Sequence, residues 1–184
     1  WGYDYYSQSI PPGDLGPVLA ISAASIHSCA IKMDQRVKCW GDNWFGRSTP
    51  PRDLGPVLAV AAGRSHTCAI KMDQSVKCWG SNLIGESTPP GDLGPVLAIS
   101  AGGYHTCVIK IDQTVKCWGL NQDDQTTVPV DLGPVLAISV GDKHTCAIRM
   151  DQSVKCWGRD SYDQSTPPKG LKVYIPEDKE KEEL

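Results

Sequence analysis

With 184 residues, 40% of them hydrophobic, the chain is long enough to bury a domain core, and no apolar run approaches the roughly 18 residues of a spanning helix. A net charge of −3 leaves no basic excess for gripping a phosphate backbone. Membrane-spanning and nucleic-acid-binding roles are thereby set aside.

Trp1 to Pro12 match Trp157 to Pro168, so the chain opens on the end of a repeating unit and on no targeting segment. Upstream sequence or processing is expected. Gly13-Asp14-Leu15-Gly16-Pro17 then forms a turn that recurs as 52–56, 91–95 and 130–134, with glycine and proline excluding a helix. An apolar run follows each turn, Val18 to Ser22 in the first and its copies at 57–61, 96–100 and 135–139. Such runs read as strands sheltered on both faces, although periodicity alone leaves a helix open.

Next comes a motif spelled out four times, His105-Thr106-Cys107-Val108-Ile109-Lys110-Ile111-Asp112-Gln113-Thr114-Val115-Lys116-Cys117-Trp118-Gly119 in the third unit. If 111–113 form a three-residue loop, Ile109 faces Val115, Val108 faces Lys116 and Cys107 faces Cys117, which leaves one face apolar. A two-residue turn would set Ile109 against Lys116 and mix core with surface. The difficulty is Gln113, with Gln35, Gln74 and Gln152, because that loop ordinarily wants glycine at a left-handed position.

Eight cysteines fall in phase, pairing Cys29 with Cys39, Cys68 with Cys78, Cys107 with Cys117 and Cys146 with Cys156. Opposed strand positions bring them close to bonding distance, and closing an 11-residue loop stabilises a hairpin by about 2.8 kcal/mol on the chain-entropy account. Disulfides would imply an oxidising compartment. Two other readings stand beside this one: buried free thiols, and zinc held by His105, Cys107 and Cys117, for which no fourth ligand is evident. Trp40, Trp79, Trp118 and Trp157 close the hairpins, where a large ring can fill the gap between neighbouring sheets. A weaker fourth segment ends in Ser-Thr-Pro-Pro. The expected fold is therefore all-β, a propeller-like array of four four-stranded blades of 39 residues, near 13–51, 52–90, 91–129 and 130–168, with 1–12 as an orphan blade end.

Apolar strand, Gly-x-x-His-Thr-Cys, a turn containing Asp, and Val-x-Cys-Trp-Gly-x-Asn together resemble the repeat of the regulator-of-chromosome-condensation family, in the short cysteine-paired form of secreted and lumenal proteins. The likeness runs from residue 1 to about 168. It implies a β-propeller that binds other proteins; members include an exchange factor for a small GTPase, a plant ultraviolet receptor and a bacterial inhibitor of β-lactamase. They typically have seven blades, against four and a fragment here. The receptor's Gly-Trp-Arg-His-Thr is replaced by Gly63-Arg64-Ser65-His66-Thr67 and Gly102-Gly103-Tyr104-His105-Thr106, so photoreception is not implied.

Beyond Pro168, residues 169–184 form a charged tail expected to be solvated. Its Lys181-Glu182-Glu183-Leu184 end resembles an endoplasmic reticulum retrieval signal. His27, His66, His105 and His144 recur in phase and are expected to bond locally to backbone. No nucleophile elbow, phosphate-binding loop or zinc-protease motif occurs, so no enzyme activity, cofactor or metal is expected. The units differ mainly in the loop between their first and second strands and in the segment after Trp-Gly, and antiparallel topology sends both to one face. That face would carry Trp44, Phe45, Arg47, Arg64, Leu83, Ile84, Tyr104 and Tyr162, residue types suited to protein contact.

The sequence thus points to a non-catalytic protein-binding or structural subunit of a larger assembly, a membrane-embedded complex included, in an oxidising lumen or outside the cell. The endoplasmic reticulum and thylakoid lumen both fit. A carbohydrate- or metal-binding module using the histidines, and a GTPase exchange factor by family analogy, are the alternatives.

Overall fold

The computed structural model of the chain describes residues 4–174. Trp1, Gly2, Tyr3 and the 175–184 part of the tail lie outside them. Among the described residues, twelve strands form four antiparallel sheets of three, each in sequential order. The first holds β1 (Val18–Ala23), β2 (His27–Lys32) and β3 (Val37–Gly41), the second β4 (Val57–Ala62), β5 (His66–Lys71) and β6 (Val76–Gly80). The third holds β7 (Val96–Ala101), β8 (His105–Lys110) and β9 (Val115–Gly119), the fourth β10 (Val135–Val140), β11 (His144–Arg149) and β12 (Val154–Gly158).

The hairpin register is the three-residue one: Cys107 faces Cys117, Val108 faces Lys116 and Ile109 faces Val115, with the same alignment in every unit. Gln35, Gln74, Gln113 and Gln152 take the left-handed conformation without glycine, at φ 63–67°. Two bonds fix that turn. The Asp side chain before each Gln accepts the N–H of the residue after it, at 3.0–3.1 Å. The Gln carbonyl is turned outward, where it accepts the N–H of the first strand of the next unit, as from Val57 to Gln35 at 2.9 Å and from Val135 to Gln113 at 3.0 Å. The strained residue thus supplies one of the ties between one sheet and the next.

The cysteine pairs are all disulfides, joining Cys29 to Cys39, Cys68 to Cys78, Cys107 to Cys117 and Cys146 to Cys156 with Cα atoms 4.0–4.1 Å apart. Neither the free-thiol nor the zinc reading holds, since no sulfur is left as a ligand.

The fourth segment departs from expectation, being a run of turns rather than a strand. Its Asn or Asp side chains hold it to itself: Asn82 Oδ1 accepts the Ser87 N–H at 3.0 Å and Asn121 Oδ1 the Thr126 N–H at 2.9 Å. The third strand is consequently an edge in every sheet. It carries a lysine at its second position, paired with the turn aspartate of its own unit at Lys38–Asp14, Lys77–Asp53 and Lys155–Asp131. Charge at that position guards the open edge against further pairing. In each first strand, one leucine (Leu19, Leu58, Leu97, Leu136) falls at a register shift and points to solvent, while the valine before it is buried in the last three units.

Three apolar clusters make up the core, and each lies between two sheets. The first joins Cys29, Ile31 and Cys39 to Leu54, Val57 and Trp79 of the next unit. The second and third repeat it one and two units on, around Trp118 and Trp157. Each tryptophan fills the gap between sheets, and the sheets stack in succession without closing a ring.

Candidate protein-binding face

The two variable loops of each unit do meet on one side. Asp42 N–H donates to the Ile26 carbonyl, Ser81 to Ser65, Leu120 to Tyr104 and Arg159 to Lys143, all at 2.8–2.9 Å. Around this side the inner loops are joined from unit to unit. Arg64 N–H donates to the Gly102 carbonyl at 2.9 Å and Gly103 N–H to that of Gly141 at 3.2 Å. A Cβ on Gly102 would stand 2.0 Å from the Gly141 oxygen, so the close approach requires glycine. The Arg64 guanidinium lies 5.7 Å over the Tyr104 ring and 3.9 Å from the Asp142 carboxylate, drawing units two, three and four together at the mouth of an open cavity.

The outer loops put their tips into solvent. Trp44 is 74% exposed, Leu83 79% and Tyr162 83%, with Phe45 and Ile84 beside them also exposed. These are equivalent positions on successive units, occupied by Tyr5-Tyr6, Trp44-Phe45, Leu83-Ile84, Gln122-Asp123 and Ser161-Tyr162. The first three copies are apolar at both positions and the later two are not. Tyr104 is half-buried and Arg64 keeps about half of its side chain accessible (55%).

Arg47 is the exception among the residues expected on the surface. It is only 4% exposed, and it belongs to a series the sequence reading missed, Gln8, Arg47, Glu86, Gln125 and Gln164, spaced 39 residues apart. The first four turn their backbone carbonyls toward the following unit, where the tryptophan indole N–H and the Ser or Thr hydroxyl both donate to it: Trp79 at 2.9 Å and Thr67 at 2.9 Å for Arg47. The side chain curls back beneath its own loop. Gln8, Glu86, Gln125 and Gln164 accept the N–H of the residue two before, at 2.7–2.9 Å. Arginine has no acceptor to offer. The peptide before Phe45 is therefore inverted, Trp44 presents its carbonyl to Arg47 Nε at 2.7 Å, and Phe45 takes φ 63°. Asp42, 3.3 Å from the same Nε, balances the buried charge. Arg47 thus holds the stacked Trp44–Phe45 pair (5.9 Å between ring centres) from below. In the second unit, burial works to raise the Glu86 carboxyl, but bonds from the Ser81 hydroxyl and the Ile84 amide outweigh it and hold the group below the usual range.

The histidines do not bond locally through their rings. His27 Nε2–H donates to Thr67 Oγ1 at 2.7 Å, His66 to Thr106 at 2.7 Å and His105 to Thr145 at 2.9 Å, each across a junction between units. The direction follows from the threonine, whose own hydrogen goes to the carbonyl of residue 47, 86 or 125. Nδ1 has no partner in these three rings, and burial lowers each to a pKa of about 4. Neutral, fully buried and engaged, these three are staples between units and present no free ring to a metal or sugar.

The regulator of chromosome condensation (RCC1) repeat matches residues 57–83, 96–125 and 135–164. No curated protein sequence matches the chain. Among solved structures, the ectodomain of the Physcomitrella patens receptor kinase CR4 is 29% identical at a TM-score of 0.73, over 86% of this chain and 46% of that one. The ectodomain of the Arabidopsis thaliana receptor kinase ACR4 is 31% identical at 0.66, over 77% and 50%. Yeast RCC1 (Prp20), solved with Kap60 bound, shares the fold at 0.68 with 15% identity, over 82% and 45%. The chain spans about half the length of each.

Proposed function

We propose that this chain, being built of RCC1 repeats, is a non-catalytic protein-binding or structural subunit whose partner contacts the variable-loop face, in an oxidising lumen or outside the cell. The carrying observation is the run of exposed apolar pairs, Trp44-Phe45 and Leu83-Ile84, at equivalent loop tips of neighbouring units. Large apolar side chains held into water are unfavourable for an isolated molecule and are the usual anchors of a protein interface. Arg47 supports the reading, because a buried charge and a strained Phe45 serve to present those two rings. Four disulfides support the oxidising setting, as does the likeness to receptor-kinase ectodomains. A membrane-embedded assembly is the kind of partner that suits such a setting.

Quantitative capture from the native source tests this. Wild type should retain a stoichiometric partner that a Trp44→Ser/Leu83→Ser double variant loses at least tenfold, the loss expected for two anchors at about 1–2 kcal/mol each. Both sites are exposed, so the variant keeps its fold. Equal recovery by both proteins would place the contact elsewhere.

A further inference from the structure

In the first two units a groove runs between the hairpin turn and the diproline turn that follows it, on the side away from the variable loops. The second groove is lined by Ser75 and Val76 of the hairpin and by Pro89, Pro90, Gly91 and Leu93 of the turn. The first, of about 420 Å³, is the same groove one unit earlier. Over residues 34–37 and 50–56, set against 73–76 and 89–95, the sequences differ only where Arg36 replaces Ser75 and Arg52 replaces Gly91. Both differences are to arginine, and both arginines line the first groove, one from each wall.

The exchange gives up a local bond. Ser75 and Thr114 donate their hydroxyls to Asp73 and Asp112 at 2.6 Å, whereas Arg36 keeps only its backbone N–H on Asp34, at 3.1 Å. Both arginines are exposed. Among the described residues neither guanidinium meets a carboxylate, unlike the lysines around them. The carboxylate of Asp53 also lines the groove, but it lies 3.9 Å from Lys77, which balances its charge. Two guanidinium forks therefore face one open groove without an anion of the chain's own to answer them.

We propose that this groove is an oxyanion site, taking a sulfate or phosphate dianion between Arg36 and Arg52. A guanidinium offers paired N–H donors that match the oxygens of such a group, and two of them match its double charge. The second groove keeps the same apolar wall of valine, prolines and leucine but has no cation among its lining residues, so it serves as the built-in control. Glycine at 91 has nothing within 4 Å of where a Cβ would stand, so an arginine fits there as it does at 52. The site lies away from Trp44 and Leu83 and does not rest on the protein contact proposed above.

The arginine Nε–Hε resonances of the full chain, followed by NMR while sodium sulfate and sodium phosphate are added separately at constant ionic strength, are the test. With at least one of the two ions, Arg36 and Arg52 should shift together and saturate with one dissociation constant of about 1 mM, while Arg64 and Arg159 stay still. The ion that binds more tightly names the group. Arg36→Ser and Arg52→Gly restore the second unit's residues, so they fold as that unit does, and each should weaken binding by about fivefold or more. Ser75→Arg/Gly91→Arg should create a second pair of responding resonances. The proposal is overturned if neither ion gives a saturating shift, if sodium acetate shifts the same resonances equally, if all arginines move in step, or if the transplanted pair stays silent. Any of these would mean an adventitious ion only.

Discussion

His27, His66 and His105 each carry one proton on Nε2 and none on Nδ1, and a second proton would have to be buried without a partner. Their pKa of about 4 lies below the 6.5 of an unfolded chain. The sign follows from linkage: stability is fully present above pH 6.5 and is lost as pH falls toward 4, because only the unfolded state takes up protons there. The thermal midpoint should therefore drop between pH 7 and pH 4.5, with calorimetric uptake of up to about three protons on unfolding near pH 5. A flat midpoint over that range would mean the rings are not buried neutral. At this scale the sequence was only partly readable. The 39-residue phase of the histidines was plain, but their partners sit in the following unit, and stacking order is not written in any one repeat. Arg47 was misplaced for a related reason: its series is chemically mixed, Gln, Arg, Glu, Gln, Gln, so only its phase marked it as buried.

The hairpin is the element the sequence described most fully, because sidedness of Ile109, Cys107, Val115 and Cys117 allows one register only. The same sidedness brought Cys68 to Cys78 and Cys146 to Cys156 in the second and fourth units. The left-handed glutamine was flagged there as a difficulty and is explained by a bond in the next sheet. The segment after each Trp-Gly was misread as a strand. Its Asn, Ser and Thr side chains satisfy the backbone within the loop, and its remaining carbonyl is claimed by the neighbouring indole. With the fourth strand absent, each hairpin depends more on its disulfide. Replacing Cys107 and Cys117 together by alanine should cost about 2.8 kcal/mol, read as a lower denaturant midpoint, since an 11-residue loop is freed in the unfolded chain. An unchanged midpoint would mean that sheet packing alone fixes the hairpin.

As a whole, the molecule is an array of sheets around an open cavity and has no single shared apolar core, since its three apolar clusters each belong to a junction. Stability in such a stack is a sum of units and neighbour contacts, so variation at loop tips is tolerated wherever junction residues are kept. That division separates what the four units share from what they do not: the shared residues build the junctions, and most of the differing ones lie in the loops of one side. Trp44 and Leu83 stand on that side, and Met72, also exposed, stands on the opposite side in the β5–β6 turn. Placing a photo-activated benzoylphenylalanine singly at 44, 83 and 72 and cross-linking in the native source is the most direct measurement. Positions 44 and 83 should join one and the same protein partner while position 72 joins none. A partner captured as well from 72 as from 44, or none from either loop tip, would contradict the account.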